Sequence, residues 1–562
     1  MPTYSIDVIP PQATVLANHS VTEAELRHSP QDYFSGSDVV WVTLCGALVL
    51  QMVPAISMFY SGATDRSSTL TLLRLPVITA AFCTVQWYLW GYVLTFSPQP
   101  DPMTWTWYGG HTESMVLYQA LVRPVGISGF GPGPNIPELL YAFYQGNFAA
   151  FTPALICGGV IKKFKVGRFL IFILLWSLLV YYPVARWTWL PGGYSDQHGV
   201  MDFAGGTAVH ITSGTAVGAV VLFHEMERHG WGIFKRIWEV VWQPNDDVEL
   251  NAEILRGQDM EMSDMEAGPE SRDGPAPPPP APLPPNGNVA AVNNRGRPVP
   301  PNLRRASIPP PAAARNPARA GPVLASDAPH SLNNLVLGTM LLWIGWLGFN
   351  GGSALGGNMR AVSACAATHV AASSGACVML VLFWILKWSG RRWPEAFGRG
   401  GSRVAVVHFC DGAVVGLVAI TPAAGYVPVW SAGCIGAISA VSIFALKNTV
   451  LQDLMRQDPL FVFLLHTGGG FIGMFLTGCF ARQYVVGFDG YSKILERSVA
   501  ERVRWQVTDA FMGFGFTLAM TLAILVVMKL VLRPFTKTGR LLSDNELDEL
   551  EAELEYRERR DQ

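Results

Sequence analysis

Eleven stretches of about 20 mostly apolar residues recur along the chain, and each is long enough to cross the hydrocarbon core of a bilayer as a helix. Lipid offers the backbone no hydrogen-bond partner, so a spanning segment must satisfy its own N–H and C=O groups, as an α-helix does. Half of the 562 residues are hydrophobic and only 15% are charged, which is too apolar for a soluble enzyme of several domains. The sequence therefore predicts an all-α integral membrane protein with eleven transmembrane helices. The predicted segments are residues 39–61, 73–97, 137–161, 168–190, 203–224, 333–353, 361–388, 404–422, 428–446, 460–480 and 508–532.

Basic residues in the short connections predict the orientation of these segments, because Lys and Arg are retained on the cytoplasmic side. The basic stretches at 162–168 ("KKFKVGR") and 387–403 follow odd-numbered segments. The connections after segments four, six and eight each hold at most one basic residue. Odd-numbered segments are therefore expected to run inward, with the amino terminus outside and the carboxyl terminus in the cytoplasm. The connection at 481–507, with five basic residues, disagrees with this orientation.

One region interrupts the membrane pattern. From about Ser263 to Ala328 the chain is rich in Pro, lacks the apolar residues that a core needs and is expected to stay extended. The expected order is an extracellular segment (1–38), helices one to five (39–224), a cytoplasmic loop with this Pro-rich insert (225–332), helices six to eleven (333–533) and an acidic cytoplasmic tail (534–562).

Two cytoplasmic stretches have helical spacing of apolar residues. "WGIFKRIWEVVW" (231–242) suits either a helix on the inner leaflet or an extension of segment five. In the tail, Leu547, Leu550 and Leu554 suit either a short helix docked on the cytoplasmic face or a solvated tail.

Two residues are candidates for covalent modification. Asn18 lies in "NHS", the only N-x-S/T sequon, on the segment expected outside the cell, and is therefore a candidate for glycosylation. Ser307 follows two arginines in "LRRASIPPP", a pattern that basic-directed kinases favour, although it also arises by chance in linkers of this composition.

Two histidines lie inside predicted spans. Gly206, His210, Gly214 and Gly218 recur every four residues, so they share one helix face along which a second helix can approach closely. Segment ten offers a similar strip of small residues in "HTGGGFIGMFLTG", which begins with His466. His210 lies about 12 Å into its segment and His466 about 9 Å into the oppositely directed one. In a core of about 30 Å their depths then differ by roughly 9 Å, so a modest tilt brings the rings into contact.

Polar groups at membrane depth are costly and tend to mark substrate or proton pathways, which favours a functional role for this pair over a structural one. A metal site is the competing hypothesis, but no third His, Cys or carboxylate accompanies the two. The eight cysteines lie in apolar segments without metal-ligand spacing and are expected to be small core residues. No metal and no cofactor is expected.

Polar and aromatic residues gather where several segments end. Asp202 opens segment five, where it is expected to cap the helix and also to attract cations. Aromatic faces hold small cations by cation–π attraction, although most aromatics at such positions belong to the interfacial belt. The residues of interest are Tyr144 and Phe148 with the adjacent Gln145 in "YQGNF", Trp189 in "WTWLPGG", and Trp346 and Phe349 in "GWLGFNGGS".

Five segments together resemble the signatures of the ammonium transporter family (Amt, Mep and Rh proteins), and most closely its fungal Mep branch. They are "FYQGNFA", "DFAGGTAVHITSG", "WIGWLGFNGGS", "GLVAITPAAGYV" and "HTGGGFIG", in the family's order. The resemblance implies two inverted five-helix repeats plus a final helix, assembled as a homotrimer in the plasma membrane. It also implies an outer recruitment site for ammonium with Asp202 at its mouth, a phenyl gate and a pair of pore histidines. The implied members are Tyr144, Phe148, Trp189 and Ser353 for recruitment, Phe148 and Phe349 for the gate, and His210 and His466 for the pore.

The chain also departs from the family pattern at several positions. Ile161-Lys162-Lys163 replaces the usual Ala-Glu-Arg after the third helix, and "DRSS" at Asp65 replaces the usual basic-Asn ending of the first. Asp411 stands where Asn is usual, and Phe461 stands where a second Asp normally opens the tenth helix. Most of these positions lie toward the cytoplasmic ends, so they bear on rate and regulation more than on substrate.

The resemblance implies a transporter that recruits ammonium, removes its proton and conducts ammonia through a hydrophobic pore. An ammonium sensor with slow transport and a neutral gas channel of the Rh type are the alternatives. A membrane enzyme is disfavoured because no nucleophile, third ligand or nucleotide loop accompanies the histidines. The expected partners are ammonium or ammonia, the lipid bilayer, two further copies of the chain, and a kinase or regulator at the cytoplasmic loop and tail. No nucleic-acid partner is expected.

Overall fold

A computed structural model describes residues 34–97, 136–229, 329–388, 401–447 and 458–532. The elements within these ranges are all helical, and a helix overlaps each of the eleven predicted segments. Nine of the helices within the described ranges are long and apolar enough to cross a membrane. The prediction of an all-helical membrane protein is therefore confirmed.

The long helices are numbered here in chain order. They are α1 (Gly36–Ala63), α2 (Thr69–Gln86, extended by Trp87–Gly91 and Tyr92–Phe96), α3 (Glu138–Gly159), α4 (Val166–Trp176, extended by Ser177–Tyr181 and Tyr182–Trp189), α5 (Gly206–Ile211, continued by Thr212–His229), α6 (Leu332–Gly352), α7 (Met359–Trp388), α8 (Gly401–Ile420), α9 (Val429–Lys447), α10 (Phe463–Gly468, continued by Gly469–Phe480) and α11 (Val499–Leu532).

The two predicted segments outside the nine correspond to α3 and α8. All but two of the 22 residues of α3 are buried, among them the polar side chains of "YQGN". A helix enclosed by other helices does not face lipid, so it tolerates the polar residues that lower its mean hydropathy. In α8 the apolar part is shorter and covers Val404–Ile420.

Small residues bring α5 and α10 into close contact, as the sequence predicts. A Cβ added at Gly214 of α5 would lie 2.6 Å from the backbone nitrogen of Thr467 in α10, which is closer than real Cβ contacts. Gly470 of α10 likewise faces the backbone oxygen of Gly206, at 2.9 Å from an added Cβ. Gly473 also belongs to the small-residue strip of α10, but it faces the carbonyl of Ala419 in α8.

Four of the eight cysteines are buried, but the expectation that all are core residues is wrong for two of them. Cys377 of α7 and Cys434 of α9 are exposed on the surface of the helical bundle. Several other predictions lie outside the described residues: the glycosylation of Asn18, the phosphorylation of Ser307, the amphipathic stretch at 231–242 and the tail helix.

Candidate functional site

The structure places the two membrane histidines side by side. His210 Nδ1 lies 3.1 Å from His466 Nδ1, and the ring centroids are 5.2 Å apart with the planes inclined by 28°. Both side chains are almost fully buried, with 0% of His210 and 3% of His466 exposed. One hydrogen bond therefore joins the two imidazoles inside the bundle.

Each histidine lies in a π-helical turn, Gly206–Ile211 in α5 and Phe463–Gly468 in α10. In the first turn, the backbone N–H of His210 donates to the carbonyl of Gly205, five residues back, at 3.0 Å. Gly205 has a φ of +117°, which a residue with a side chain rarely adopts. Such turns are rare and occur frequently at functional sites.

Thr421 determines how protons are distributed over the histidine pair. Its hydroxyl donates to the carbonyl of Leu417 at 2.8 Å, so its oxygen is an acceptor toward other groups. That oxygen lies 2.9 Å from Trp346 Nε1, which can only donate, and 3.3 Å from His210 Nε2. His210 then carries its proton on Nε2, and its Nδ1 accepts a hydrogen bond from the Nδ1–H of His466. The remaining nitrogen, His466 Nε2, is left as an acceptor.

A carboxylate begins each of the two histidine helices. Asp202 accepts backbone hydrogen bonds from Gly205 and Gly206 through Oδ1 and from Thr207 through Oδ2, at 2.6 to 2.8 Å. The predicted helix cap is therefore present in the structure. Burial raises the pKa of the Asp202 carboxyl, although these N–H groups favour its ionised form.

Asp458 plays the same structural part for α10, and the sequence analysis did not identify it. Its Oδ2 accepts from the backbone N–H of Phe463 at 2.8 Å, and burial raises the pKa of the carboxyl to about 6. Asp458 precedes His466 by eight residues, as Asp202 precedes His210. This repeated spacing is the signal that identifies it. The helix therefore begins with an acidic cap even though Phe461 occupies the position of the family's second Asp.

The predicted aromatic residues form one continuous cluster beside the histidines. The rings of Phe148 and Phe349 are 4.1 Å apart at their centroids and inclined by 33°, so they are in direct contact. Trp189 packs edge-on against Phe148 at 5.9 Å, and its indole N–H donates to the backbone oxygen of Asp202 at 3.1 Å. Trp346 stacks on His210 at 5.5 Å. The cluster therefore runs from Asp202 to the histidine pair.

The hydroxyl of Tyr144 links α3 to the end of α6. It lies 2.7 Å from the carbonyl oxygen of Phe349 and 3.2 Å from Ser353 Oγ. Tyr144 is completely buried, whereas Ser353 and Trp189 are partly exposed. Gln145 lies apart from the cluster, and its amide contacts Tyr141 at 3.4 Å. All the predicted aromatic residues therefore belong to one cluster, and Gln145 lies outside it.

No group of three or more His, Cys, Asp or Glu side chains suited to a metal ion occurs within the described parts of the chain. His210 has a threonine, a tryptophan and a phenylalanine as further neighbours: Thr421, Trp346 and Phe349. This environment suits neutral imidazoles that exchange hydrogen bonds.

Four of the departures from the family pattern form charge contacts: Lys162 pairs with Asp65, and Asp411 and Phe461 both contact Lys447. Lys162 Nζ lies 3.2 Å from Asp65, and both side chains are partly exposed. Lys447 Nζ lies 2.7 Å from Asp411 and 4.3 Å from the ring centroid of Phe461. The acid at 411 therefore neutralises a lysine that faces an aromatic ring at 461. Lys162 and Asp411 therefore each have an oppositely charged partner.

The fold and this site define a class of protein: a multi-span helical membrane protein whose interior holds a histidine pair behind stacked aromatic rings. The family model described as Ammonium Transporter Family matches residues 40–234 and 323–538, so the chain belongs to the ammonium transporter family. It is 31% identical to Ammonium transporter 1 of Schizosaccharomyces pombe over 505 residues, covering 89% of this chain and 78% of that one. It is 29% identical to Ammonium transporter MEP2 of Saccharomyces cerevisiae over 519 residues, covering 91% and 81%.

Solved structures agree with this assignment. The crystal structure of Candida albicans Mep2 matches with a TM-score of 0.62 and 26% identity, covering 90% of this chain and 86% of that one. The crystal structure of Saccharomyces cerevisiae Mep2 matches with a TM-score of 0.62 and 27% identity, covering 92% and 91%. The predicted family, including its fungal Mep branch, is confirmed.

Proposed function

We propose that this protein recruits ammonium at the aromatic cluster, removes its proton and passes ammonia along the histidine pair. The observation that carries this proposal is the buried contact between His210 and His466 behind the stacked rings of Phe148 and Phe349. Such an arrangement offers hydrogen bonds to a small neutral molecule and no charge to an ion.

Recruitment uses the faces of Trp189 and Phe148 together with Ser353. A desolvated cation over an aromatic face gains about 1 to 2 kcal/mol. The Asp202 carboxylate is occupied with the backbone of α5, so it contributes through its electric field. Ammonium is therefore attracted by charge and held by rings, while the hydroxyl of Ser353 offers a hydrogen-bond acceptor.

Selectivity follows from the dry interior beyond the phenyl rings. A cation that enters it without a partner pays a desolvation cost of many kcal/mol. Ammonium avoids this cost by giving up its proton, whereas potassium and sodium have no neutral form. His466 Nε2, the acceptor left by the bonds of Thr421, is the nitrogen that receives a hydrogen bond or a proton from the passing molecule.

The wider architecture belongs to the same proposal. The chain crosses the plasma membrane eleven times as two inverted five-helix repeats plus a final helix, with its amino terminus outside. The repeated Asp–His spacing at the starts of α5 and α10 supports the two repeats. Three copies form a homotrimer, and the cytoplasmic loop and tail receive a kinase or another regulator.

The test measures uptake of labelled methylammonium together with current in vesicles that contain the purified full-length chain. His210→Ala and His466→Ala should each lower uptake about tenfold or more, or admit potassium, because a polar partner is lost from the dry interior. His369→Ala is the matched control, since this exposed histidine of α7 lies on the bundle surface. Its uptake should equal that of the unmodified chain.

Normal, potassium-insensitive uptake in both pore variants would overturn the histidine assignment. If the unmodified chain reaches the vesicles but carries no methylammonium, an ammonium sensor becomes the better account of the same fold.

A further inference from the structure

Asp509 of α11 is a second buried carboxylate near the mouth formed by Asp202 and Trp189. Only 1% of its surface is exposed. Its Oδ1 accepts from Ser195 Oγ at 2.6 Å, and its Oδ2 accepts from Thr207 Oγ1 at 2.7 Å. These distances are typical of a hydroxyl that donates to an ionised carboxylate. Asp509 is therefore held as an anion by two neutral donors.

Thr207 connects this carboxylate to Asp202. Its hydroxyl donates to Asp509, while its backbone N–H donates to Asp202 Oδ2 at 2.8 Å. The backbone oxygen of Asp202 in turn accepts from the indole of Trp189. A continuous chain of hydrogen bonds therefore leads from Asp509 to the ring proposed to hold ammonium.

Neither carboxylate forms an ion pair with a Lys or Arg side chain among the residues that the structure describes. Within the described ranges, the ion pairs formed by Lys and Arg involve other acids, such as Asp489 with Arg360 and Asp411 with Lys447. A charge that no neighbour cancels, in a region of low dielectric constant, acts over a longer distance than one in water. Clefts lined by one sign of charge concentrate the opposite ion.

We infer that Asp509 is a positioning residue for ammonium recruitment: it acts through Thr207 and Asp202, holding the mouth in shape and adding to its negative field. The inference rests on the proposed transport of ammonium and adds a residue on the last helix to it. Asp509 touches neither the histidine pair nor the phenyl gate in the contacts described above, so its charge affects capture of the cation more than its passage.

The matched variants are Asp509→Asn and Ser195→Ala. Asparagine has nearly the same shape and still bonds to hydroxyls, but it carries no charge. Ser195→Ala removes one hydrogen bond and leaves the charge in place. If Asp509 only tied α11 to its neighbours by hydrogen bonds, Asp509→Asn would behave like the unmodified chain, and Ser195→Ala would be the less stable of the two variants.

The test uses the full-length chain in cells without their own ammonium transporters. Initial rates of labelled methylammonium uptake are measured at about 10 mM and about 150 mM ionic strength, where the screening length falls from about 30 Å to about 8 Å. At low ionic strength Asp509→Asn should raise the half-saturating concentration about threefold to tenfold with the maximal rate unchanged. At high ionic strength the difference should shrink, and Ser195→Ala should follow the unmodified chain at both.

An unchanged half-saturating concentration in Asp509→Asn, or a fall in the maximal rate alone, would overturn the inference while leaving the proposed function intact. If Asp509→Asn fails to reach the membrane, the unmodified chain provides the test. In that case, a half-saturating methylammonium concentration that does not rise with ionic strength also overturns the inference. Absence of uptake by the unmodified chain, present at the surface, would overturn the proposed function itself and the inference with it.

Discussion

Replacing Asp411 with Asn should destabilise the protein strongly, because it leaves Lys447 buried without its counter-charge. The two side chains are only 10% and 7% exposed, and their charged atoms are 2.7 Å apart. At an effective dielectric constant of about 20, two unit charges at this distance attract by about 6 kcal/mol. Removing one partner of a buried pair costs about 3 to 5 kcal/mol, since the remaining charge stays desolvated.

The second variant removes both charges. Asp411→Asn combined with Lys447→Met places a flexible apolar chain against the ring of Phe461, which Lys447 Nζ approaches at 4.3 Å in the unmodified protein. The double variant should recover most of the lost stability, because replacing both partners of a buried pair by apolar groups is often neutral. The matched control is Asp65→Asn, whose pair with Lys162 is partly exposed and contributes about 0 to 1 kcal/mol.

Heating the purified protein in detergent and measuring the fraction that remains monodisperse checks this prediction. Asp411→Asn should lose its folded form at a clearly lower temperature than either the double variant or Asp65→Asn. A single variant as stable as the unmodified chain, or a double variant less stable than the single one, would refute the reasoning.

Further predictions concern the site and the insert. Trp189→Ala removes a cation–π face and should raise the half-saturating ammonium concentration or change the maximal rate; unchanged uptake kinetics would make this residue an interface anchor. Thr421→Val removes the hydroxyl that accepts from His210 Nε2 and should reduce uptake about tenfold at normal surface expression. Gly214→Ala should impair folding or uptake, since its Cβ would collide with α10, whereas Gly515→Ala on α11 meets open space and should do neither. Phosphopeptide mapping under nitrogen-rich and nitrogen-poor growth tests whether Ser307 is phosphorylated. Uptake by Ser307→Ala and Ser307→Asp tests whether this phosphorylation changes transport.

Local sequence was sufficient to predict the helices and much of the site. The apolar length of each segment follows from the bilayer, so eleven segments were recognisable without any tertiary information. The cap at Asp202 and the close approach at Gly214 depend on residues within one or two helical turns, which a single sequence displays directly. The contact between His210 and His466 followed from their similar depths together with the strips of small residues on both helices.

The remaining features depend on partners that are distant in sequence. Nothing in the local sequence distinguishes Thr421 from other threonines, because its partner His210 is 211 residues away. Asp509 and Thr207 are 302 residues apart, and no local pattern marks a lone aspartate within α11 as the acceptor of hydrogen bonds from Ser195 and Thr207. The unusual residues Asp411 and Phe461 acquired a common explanation only when the structure placed Lys447 between them.

The π-helical turns in α5 and α10 make each histidine depend on the number of residues in its turn. A π-helical turn holds one residue more than the α-helical turn it replaces. Deleting a single residue from Gly206–Ile211 therefore converts the turn into an α-helical turn, and because both kinds of turn complete 360°, the helix on either side stays nearly aligned. The change falls on the turn itself: the hydrogen bond from His210 N–H to the Gly205 carbonyl, five residues back, gives way to a bond four residues back, although every functional side chain is still present. Single-residue deletions reveal this dependence, whereas alanine substitutions, which preserve length, do not.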